Sequence, residues 1–258
     1  MKIISHNVNG LKSYINSGKL NALLKFDADI YCFQEVKVQD IDQLEDLLEP
    51  YLDDYCVYSQ ECLTKKGYAG VLFMVKNDIN HEAVYPEDSL VFGDTEYASG
   101  RIIQLDLDDN ISLINVYVVN SAKKELERLL FDEKLKNYVK SLIEKGRKII
   151  LLGDMNVCST ELDFWGNYDI AKNLFPGLCK FEIDGFHDLL NECQLNDTFR
   201  MLHPDERKYS WCSPKTKNDH QGWRLDYFLT TKDINIKESN IYQGWNTVGD
   251  HSPIELII

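Results

Sequence analysis

Residues 148–154 read Lys-Ile-Ile-Leu-Leu-Gly-Asp, four bulky aliphatic side chains in unbroken succession closed by a glycine and a carboxylate. A strand with one wet face alternates apolar and polar residues, so a run without alternation needs cover on both sides. That demand points to an α/β architecture whose strands lie inside layers. Residues 29–35, Asp-Ile-Tyr-Cys-Phe-Gln-Glu, repeat the pattern and again stop on a carboxylate. Further strands are expected at 2–8, 55–59, 70–75, 102–107, 111–118, 208–211, 225–230, 234–243 and 254–258. Helical periodicity predicts a helix over 11–26 that buries Leu20, Leu23, Leu24 and Phe26. A longer one is predicted over 122–145, with one break allowed, burying Leu126, Leu129, Leu130, Leu135, Val139 and Leu142. A third is expected near 186–193, after a long polar, aromatic-rich loop over 164–182.

No linker-like stretch or shift in composition divides the 258 residues, so 1–258 is expected to form one domain with a sizeable core. A 44% hydrophobic and 27% charged composition argues against disorder. No apolar run approaches the roughly 18–20 residues that span a bilayer. The N-terminus turns polar at Ser5-His6-Asn7, too soon for a secretory signal. A cytoplasmic protein is expected, or a nuclear one in a eukaryotic cell, with no membrane partner. Seven cysteines without a Cys-x-x-Cys pair fit reduced, buried thiols and argue against a disulfide frame or a zinc site.

The net charge of -14 speaks against any partner held by global attraction to phosphates, so contact with nucleic acid has to be local. Candidate patches are Lys65-Lys66, Lys123-Lys124 with Arg128, and Lys215, Lys217 and Arg224. Each is otherwise an ordinary solvated face. A monomer is expected, since no heptad repeat or exposed apolar helix stands out.

Where the apolar runs stop, polar residues begin: Asn7, Glu35, Asn120, Asp154 with Asn156, and Asp250 with His251. Strand ends of an α/β layer share one edge of a sheet, so these groups could meet in one site. Taken singly, Asp and Asn after strands form turns. Together, as hard oxygen donors, they suit Mg2+, with Mn2+ able to substitute.

Six segments carry a family resemblance: residues 2–11 (Lys-Ile-Ile-Ser-His-Asn-Val-Asn-Gly-Leu), 34–37 (Gln-Glu-Val-Lys), 67–71 (Gly-Tyr-Ala-Gly-Val), 153–157 (Gly-Asp-Met-Asn-Val), 222–228 (Gly-Trp-Arg-Leu-Asp-Tyr-Phe) and 249–253 (Gly-Asp-His-Ser-Pro). In this order and spacing they resemble the motifs of the exonuclease III family of abasic-site endonucleases. The resemblance implies a four-layered α/β sandwich, two mixed sheets face to face with helices outside. It implies hydrolysis of the phosphodiester 5' to abasic sites in duplex DNA, with 3' phosphodiesterase and 3'-to-5' exonuclease activity, so the expected partner is duplex DNA with abasic sites or blocked 3' ends.

It also implies roles. Asn7, Glu35, Asp154, Asn156, Asp250 and His251 would surround the metal, with Glu35 as its chief ligand. Asp154 would orient or deprotonate water, and Asn156 would donate to the phosphoryl oxygen. Tyr117 would bind the phosphate, and Asp226 would orient His251. The residues leave open whether Asp154 or His251 takes the proton. Tyr68, Asn120 and Lys123 would contact DNA, while Trp211, Trp223 and Leu225 would form an apolar pocket for a flipped-out, baseless sugar.

Six positions depart from the family pattern: His6, Val36, Ser99, Val119, Ile183 and Cys212. None is an expected catalytic group, so they bear on the supporting shell and the grip on DNA. Two alternatives remain: a sister phosphodiesterase or phosphatase acting on RNA or on a phosphorylated lipid or small molecule, and a catalytically silent DNA-binding protein. The aromatic pocket speaks against the first and the full acidic set against the second.

Overall fold

Alternate residues of the apolar run Lys148–Asp154 face opposite layers in the computed structural model. Ile149 and Leu151 pack under helices, and Ile150 and Leu152 pack against a second sheet. The structure describes residues 1–86, 99–122, 124–213, 221–245 and 250–258.

The strands are β1 (Lys2–Asn7), β2 (Ile30–Gln34), β3 (Tyr55–Gln60), β4 (Val71–Lys76), β5 (His81–Val84), β6 (Ile102–Leu107), β7 (Ile111–Tyr117), β8 (Lys148–Asp154), β9 (Leu195–Asp197), β10 (Trp211–Cys212), β11 (Gly222–Trp223), β12 (Asp226–Thr231), β13 (Glu238–Ile241) and β14 (Ile254–Ile257). The helices are α1 (Leu11–Asn16), α2 (Lys19–Leu24), α3 (Ile41–Leu48), α4 (Glu125–Glu144), α5 (Tyr168–Ala171), α6 (Lys180–Glu192) and α7 (Thr198–Leu202). Two six-stranded sheets run β13-β14-β1-β2-β4-β3 and β5-β6-β7-β8-β12-β9, and β10 with β11 makes a short ribbon. Each large sheet has a parallel pair at its centre, β1 with β2 and β7 with β8, and antiparallel neighbours around it.

The central core is shared by the two sheets, with Ile3, Cys32 and Phe73 of one meeting Leu105, Leu152 and Phe228 of the other. α4 and α6 cover the outer face of the second sheet through Phe131, Leu135, Val139 and Phe186. α1 to α3 cover the outer face of the first through Leu11, Leu20, Leu23 and Leu44. This is the four-layered sandwich expected from the sequence. No described helix is long and apolar enough to cross a membrane.

Several expectations need correction. The single helix expected over 11–26 is two, because Gly18 adopts a left-handed conformation (φ 75°) that an α-helix cannot continue through. The long helix is unbroken, and Leu135, Val139 and Leu142 are buried as expected, but in its first two turns Leu126, Leu129 and Leu130 are exposed and Arg128 and Phe131 face inward instead. The expectation that no apolar helix face is exposed is thereby overturned. α6 begins at Lys180, six residues earlier than expected, because the buried Glu182 carboxylate turns back to accept from the Gly177 and Cys179 backbone N–H groups (2.7 and 3.0 Å). The expected strand at 208–211 is only the two-residue β10. The loop expected over 164–182 contains α5, and of the strand expected over 234–243 only β13 forms. α3, β5, β9, α7 and β11 were not anticipated: α3 was legible from Leu44, Leu47 and Leu48 at helical spacing, and the others are short. All seven cysteines are free, and Cys56 and Cys179 are half-buried where burial was expected.

Two arginines expected on basic surface patches are core residues. Arg128 donates to Asp132 (2.8 Å) and to the carbonyls of Val119, Met155 and Asn156 (3.1 Å each), and lies 3.4 Å from buried Glu182. Arg224 is held by Asp163 (2.7 Å) and Asp197 (2.6 Å). Sequence alone does not separate a solvated arginine from one that ties internal carbonyls and carboxylates together. Replacing Arg128 with methionine removes every donor in its network and is expected to destabilise the protein by about 3–5 kcal/mol. Urea unfolding measures the loss, and an unchanged midpoint would refute the structural role.

Candidate active site

The strand ends that the sequence singles out meet at one edge of the sandwich. In the second sheet Asp154 ends β8 and lies in register between Tyr117 at the end of β7 and Asp226 at the start of β12. Gly153 makes this possible: its φ is 125°, and a Cβ there would stand 2.0 Å from the Val116 carbonyl oxygen of β7. In the first sheet Asn7 ends β1, Glu35 follows β2, and Asp250-His251 precede β14. Buried carboxamides set the two sheets against each other. The Gln34 amide donates to Asn115 Oδ1 (2.7 Å), and the Asn115 amide donates to the carbonyls of Phe33 and Leu72 (3.1 and 3.0 Å).

At the centre the Asn7 amide donates to Glu35 Oε1 and to Asp154 Oδ2, each at 2.9 Å. Ligand atoms of Glu35, Asp154 and His251 lie within 4.8 Å of one another. His251 Nδ1 is 2.8 Å from Asp226 Oδ2, and its Nε2 faces Asp154 Oδ2 at 3.8 Å. Burial opposes charge on this imidazole but is outweighed by Asp226 and then Asp154, so its pKa is raised. Asp154 is also shifted up, first by burial and then by Asp226 and Glu35, against the pull of His251. Burial holds the Tyr117 hydroxyl well above the usual tyrosine range, reinforced by Glu35, while the Arg101 guanidinium lies 4.5 Å from the ring centroid.

Asn156 sits in a left-handed conformation (φ 48°) that brings its N–H onto Asp154 Oδ1 (2.9 Å). Its side chain donates to the Val118 carbonyl (2.8 Å) and accepts from the Asn120 amide (3.1 Å). Asp250 is engaged at the rim: Oδ1 accepts from the Asn9 amide (3.2 Å) and Oδ2 from the Trp211 indole (3.1 Å). Trp211 and Trp223 meet edge to face at 5.4 Å over a cluster containing Leu225, Phe164 and Leu178. The three expected pocket residues are thus together and joined to the acidic centre through Asp250. Tyr68 stands apart from that pocket, its hydroxyl accepting from Arg101 (2.9 Å) and Lys124 (3.1 Å), with Lys65 4.8 Å from its ring centroid. Lys123, Lys215 and Lys217 lie outside the described residues.

Four contributors were not assigned from sequence. Lys37 Nζ is 2.5 Å from Glu35 Oε2 and donates to Asn9 Oδ1 (2.6 Å). Burial of Glu35 works against its charge, but Lys37 outweighs it and lowers its pKa. The signal was present, since Asn9 and Lys37 each follow a site residue by two positions. Buried His6 is the third: its Nε2 is 3.1 Å from the His251 carbonyl and its Nδ1 3.1 Å from the hydroxyl of Tyr14, the fourth. Burial pushes the His6 pKa down to about 3, so the ring is neutral. The partners then assign the proton to Nε2, which donates to the carbonyl, while Nδ1 accepts from tyrosine. No periodicity marks such a contact, because it joins residues 245 positions apart. A His6→Phe change fills the same space without the donor and is expected to lower turnover by about tenfold through misplacement of His251. Steady-state kinetics check this, and an unchanged kcat would refute it.

The chain matches the Endonuclease/Exonuclease/phosphatase family over residues 4–251. The exodeoxyribonuclease of Bacillus subtilis (strain 168) is 34% identical, across all of this chain and 99% of its own length. The DNA repair nuclease APEX1 of Danio rerio is 29% identical, across all of this chain and 82% of its own. Among solved structures, AP endonuclease LMAP from Leishmania major superposes with a TM-score of 0.85 at 25% identity, covering 99% of this chain and 86% of that one. The 3'-5' exonuclease NExo from Neisseria meningitidis gives 0.84 at 21% identity, covering 100% and 99%, which speaks for the fold alone. A family match across almost the whole chain, a full-length relative above 30% identity and the four-layered sandwich leave one conclusion: the chain belongs to the endonuclease/exonuclease/phosphatase family.

Proposed function

We propose that this protein is a divalent-metal-dependent DNA repair nuclease whose one catalytic domain hydrolyses the phosphodiester 5' to abasic sites in duplex DNA, with 3' phosphodiesterase and 3'-to-5' exonuclease activity at the same site. The observation that carries the reading is the contact between Trp211 and Asp250, which sets the half-buried pair of Trp211 and Trp223 beside the carboxylate centre. Their apolar faces would bury a small, baseless sugar turned out of the duplex. The names of the relatives, exodeoxyribonuclease and DNA repair nuclease, support the substrate class.

The residues fit a hard cation. Glu35 and Asp154 converge as carboxylate donors, Asn7 bridges them, and the positive charges of Lys37 on Glu35 and of His251 beside Asp154 mark a pocket that favours cations. Oxygen-rich donors favour Mg2+, with Mn2+ as a substitute. Asn7, Glu35, Asp154, Asn156, Asp250 and His251 are the residues proposed to surround it. When bound, the ion supplies Lewis-acid neutralisation of the phosphate and of the leaving 3'-oxygen. His251, kept charged by Asp226, donates to a non-bridging oxygen, which leaves Asp154 to orient water and accept its proton. The Tyr117 hydroxyl, held protonated, and the Asn156 amide donate to the phosphate as charge builds there. Tyr68 and Asn120 steady the strand beside it.

Labelled duplexes carrying an abasic site, a blocked 3' end, a mismatch or no lesion test the reading. Incision 5' to the abasic site is expected with Mg2+, a loss of at least about 10³-fold in chelator, and recovery with Mg2+ or Mn2+. A folded protein that leaves the abasic duplex intact with either ion would sink the proposal.

A further inference from the structure

On the side of the first sheet away from β13, β3 is the outermost strand among the described residues. Outside it, between β3 and α3, runs a groove of about 820 Å³. Its apolar surface is formed by Ile41, Leu52 and Tyr85, 49%, 45% and 46% exposed, with half-buried Val57 beneath them, while Leu44 and Leu48 at its base are core residues. Its rim carries the carboxylates of Glu45, Asp46, Glu49 and Glu61, and among the described residues no lysine, arginine or histidine lines it. A natural edge strand is normally blunted by lysine, proline or a covering element. Here Tyr55–Gln60 contains neither lysine nor proline, and all but Tyr55 are half-buried.

We propose that this groove is a docking site for an extended segment of a partner protein that alternates apolar and basic residues and adds to the sheet as a strand beyond β3. The edge strand offers main-chain groups in register, as in other strand-addition interfaces. Apolar side chains of the segment would sit against Ile41, Leu52, Val57 and Tyr85, and its lysines or arginines would meet the four carboxylates. Charge selects the occupant. Duplex DNA would bring phosphates onto an acidic rim, and a second copy of this chain, with its net charge of -14, would set like charge against like. The groove borrows nothing from the Asn7, Glu35 and Asp154 centre, so it stands whether or not that centre cleaves DNA.

The probe is a fluorescein-labelled eight-residue peptide alternating valine and lysine, N-methylated on alternate residues so that one edge stays free and it cannot stack on itself. Fluorescence anisotropy with the full chain is expected to show saturable binding. Charge reversal in a Glu49→Lys, Glu61→Lys double variant should weaken it by about tenfold or more, with the thermal unfolding midpoint held near wild type to show that the fold persists. A peptide of the same charge with every backbone amide methylated should not bind. Equal binding of that fully methylated peptide would reduce the effect to charge and overturn strand addition. So would no binding of the first probe, or a dimer in sedimentation that the double variant abolishes, which would make a second copy the occupant.

Discussion

An Asp154→Asn variant is expected to lose abasic-site incision by about 10³-fold while holding its duplex within a few fold of wild type. The position is 1% exposed, and the substitution keeps shape and volume, so it leaves neither a cavity nor overpacking. What changes is the pattern of donors and acceptors. Both oxygens of Asp154 accept, Oδ1 from the Asn156 N–H and Oδ2 from the Asn7 amide, while His251 Nε2 faces Oδ2 at 3.8 Å. A carboxamide has one acceptor for these partners and turns its NH2 toward a donor in either orientation. It also has no basic oxygen for the proton of water, and the local negative charge that favours a cation falls by one. Single-turnover rates on an abasic duplex separate this loss from binding, measured by anisotropy without catalytic metal. Full activity in the variant would refute the role given to Asp154.

The largest expected effect on stability belongs to Gly153→Ala, at about 4 kcal/mol or more, beyond the range of ordinary substitutions. The new Cβ would lie 2.0 Å from the Val116 carbonyl oxygen and 3.2 Å from the Val116 nitrogen, in the parallel pairing of β7 and β8. Backbone has no rotamer with which to step aside, and φ of 125° is costly for any residue with a Cβ. Gly18→Ala is the internal control. Its φ of 75° is also left-handed, but nothing lies within 4 Å of the added carbon, so only the conformational cost of about 1–2 kcal/mol remains. Urea unfolding of both variants should separate them clearly, and a Gly153→Ala protein as stable as wild type would show that β8 does not approach β7 as described. Because Asp154 follows Gly153 directly, any shift of the strand that relieved the clash would also carry the carboxylate away from Asn7.

What could be read from residues alone depended on the range of the force involved. The burial of β8 was legible because hydrophobic period is local: four consecutive aliphatic residues admit no wet face. The same holds for β2, for the strand-end positions of Asn7, Glu35 and Asp154, and for the layered fold they imply. Where periodicity was ambiguous the reading slipped. In α4, Leu135, Val139 and Leu142 face inward as their spacing predicts, but in the first two turns Leu126, Leu129 and Leu130 look like the better stripe, whereas the face that continues inward carries Phe131 and Arg128, whose guanidinium meets a carboxylate and carbonyls inside. A one-turn helix such as α7 and a two-residue strand such as β10 hold too few residues to display any period.

The candidate site divides along the same line. Its members could be named from sequence, because hard donors at strand ends and ordered motifs are properties of short segments. Their geometry could not. The bridge from Asn7 to Asp154 spans 147 positions, and the contact of His6 with the His251 carbonyl spans 245. The rim contact between Trp211 and Asp250 depends on a ribbon only two residues long. Sequence by itself determined which layers this chain must build and which side chains stand at their edges, since burial and turn chemistry act over a few neighbouring residues. Tertiary structure alone decided that Asp250 turns to the aromatic rim, that Lys37 lies on Glu35 and that two arginines are interior, since hydrogen bonds and ion pairs act over a few ångströms between segments that only folding brings together.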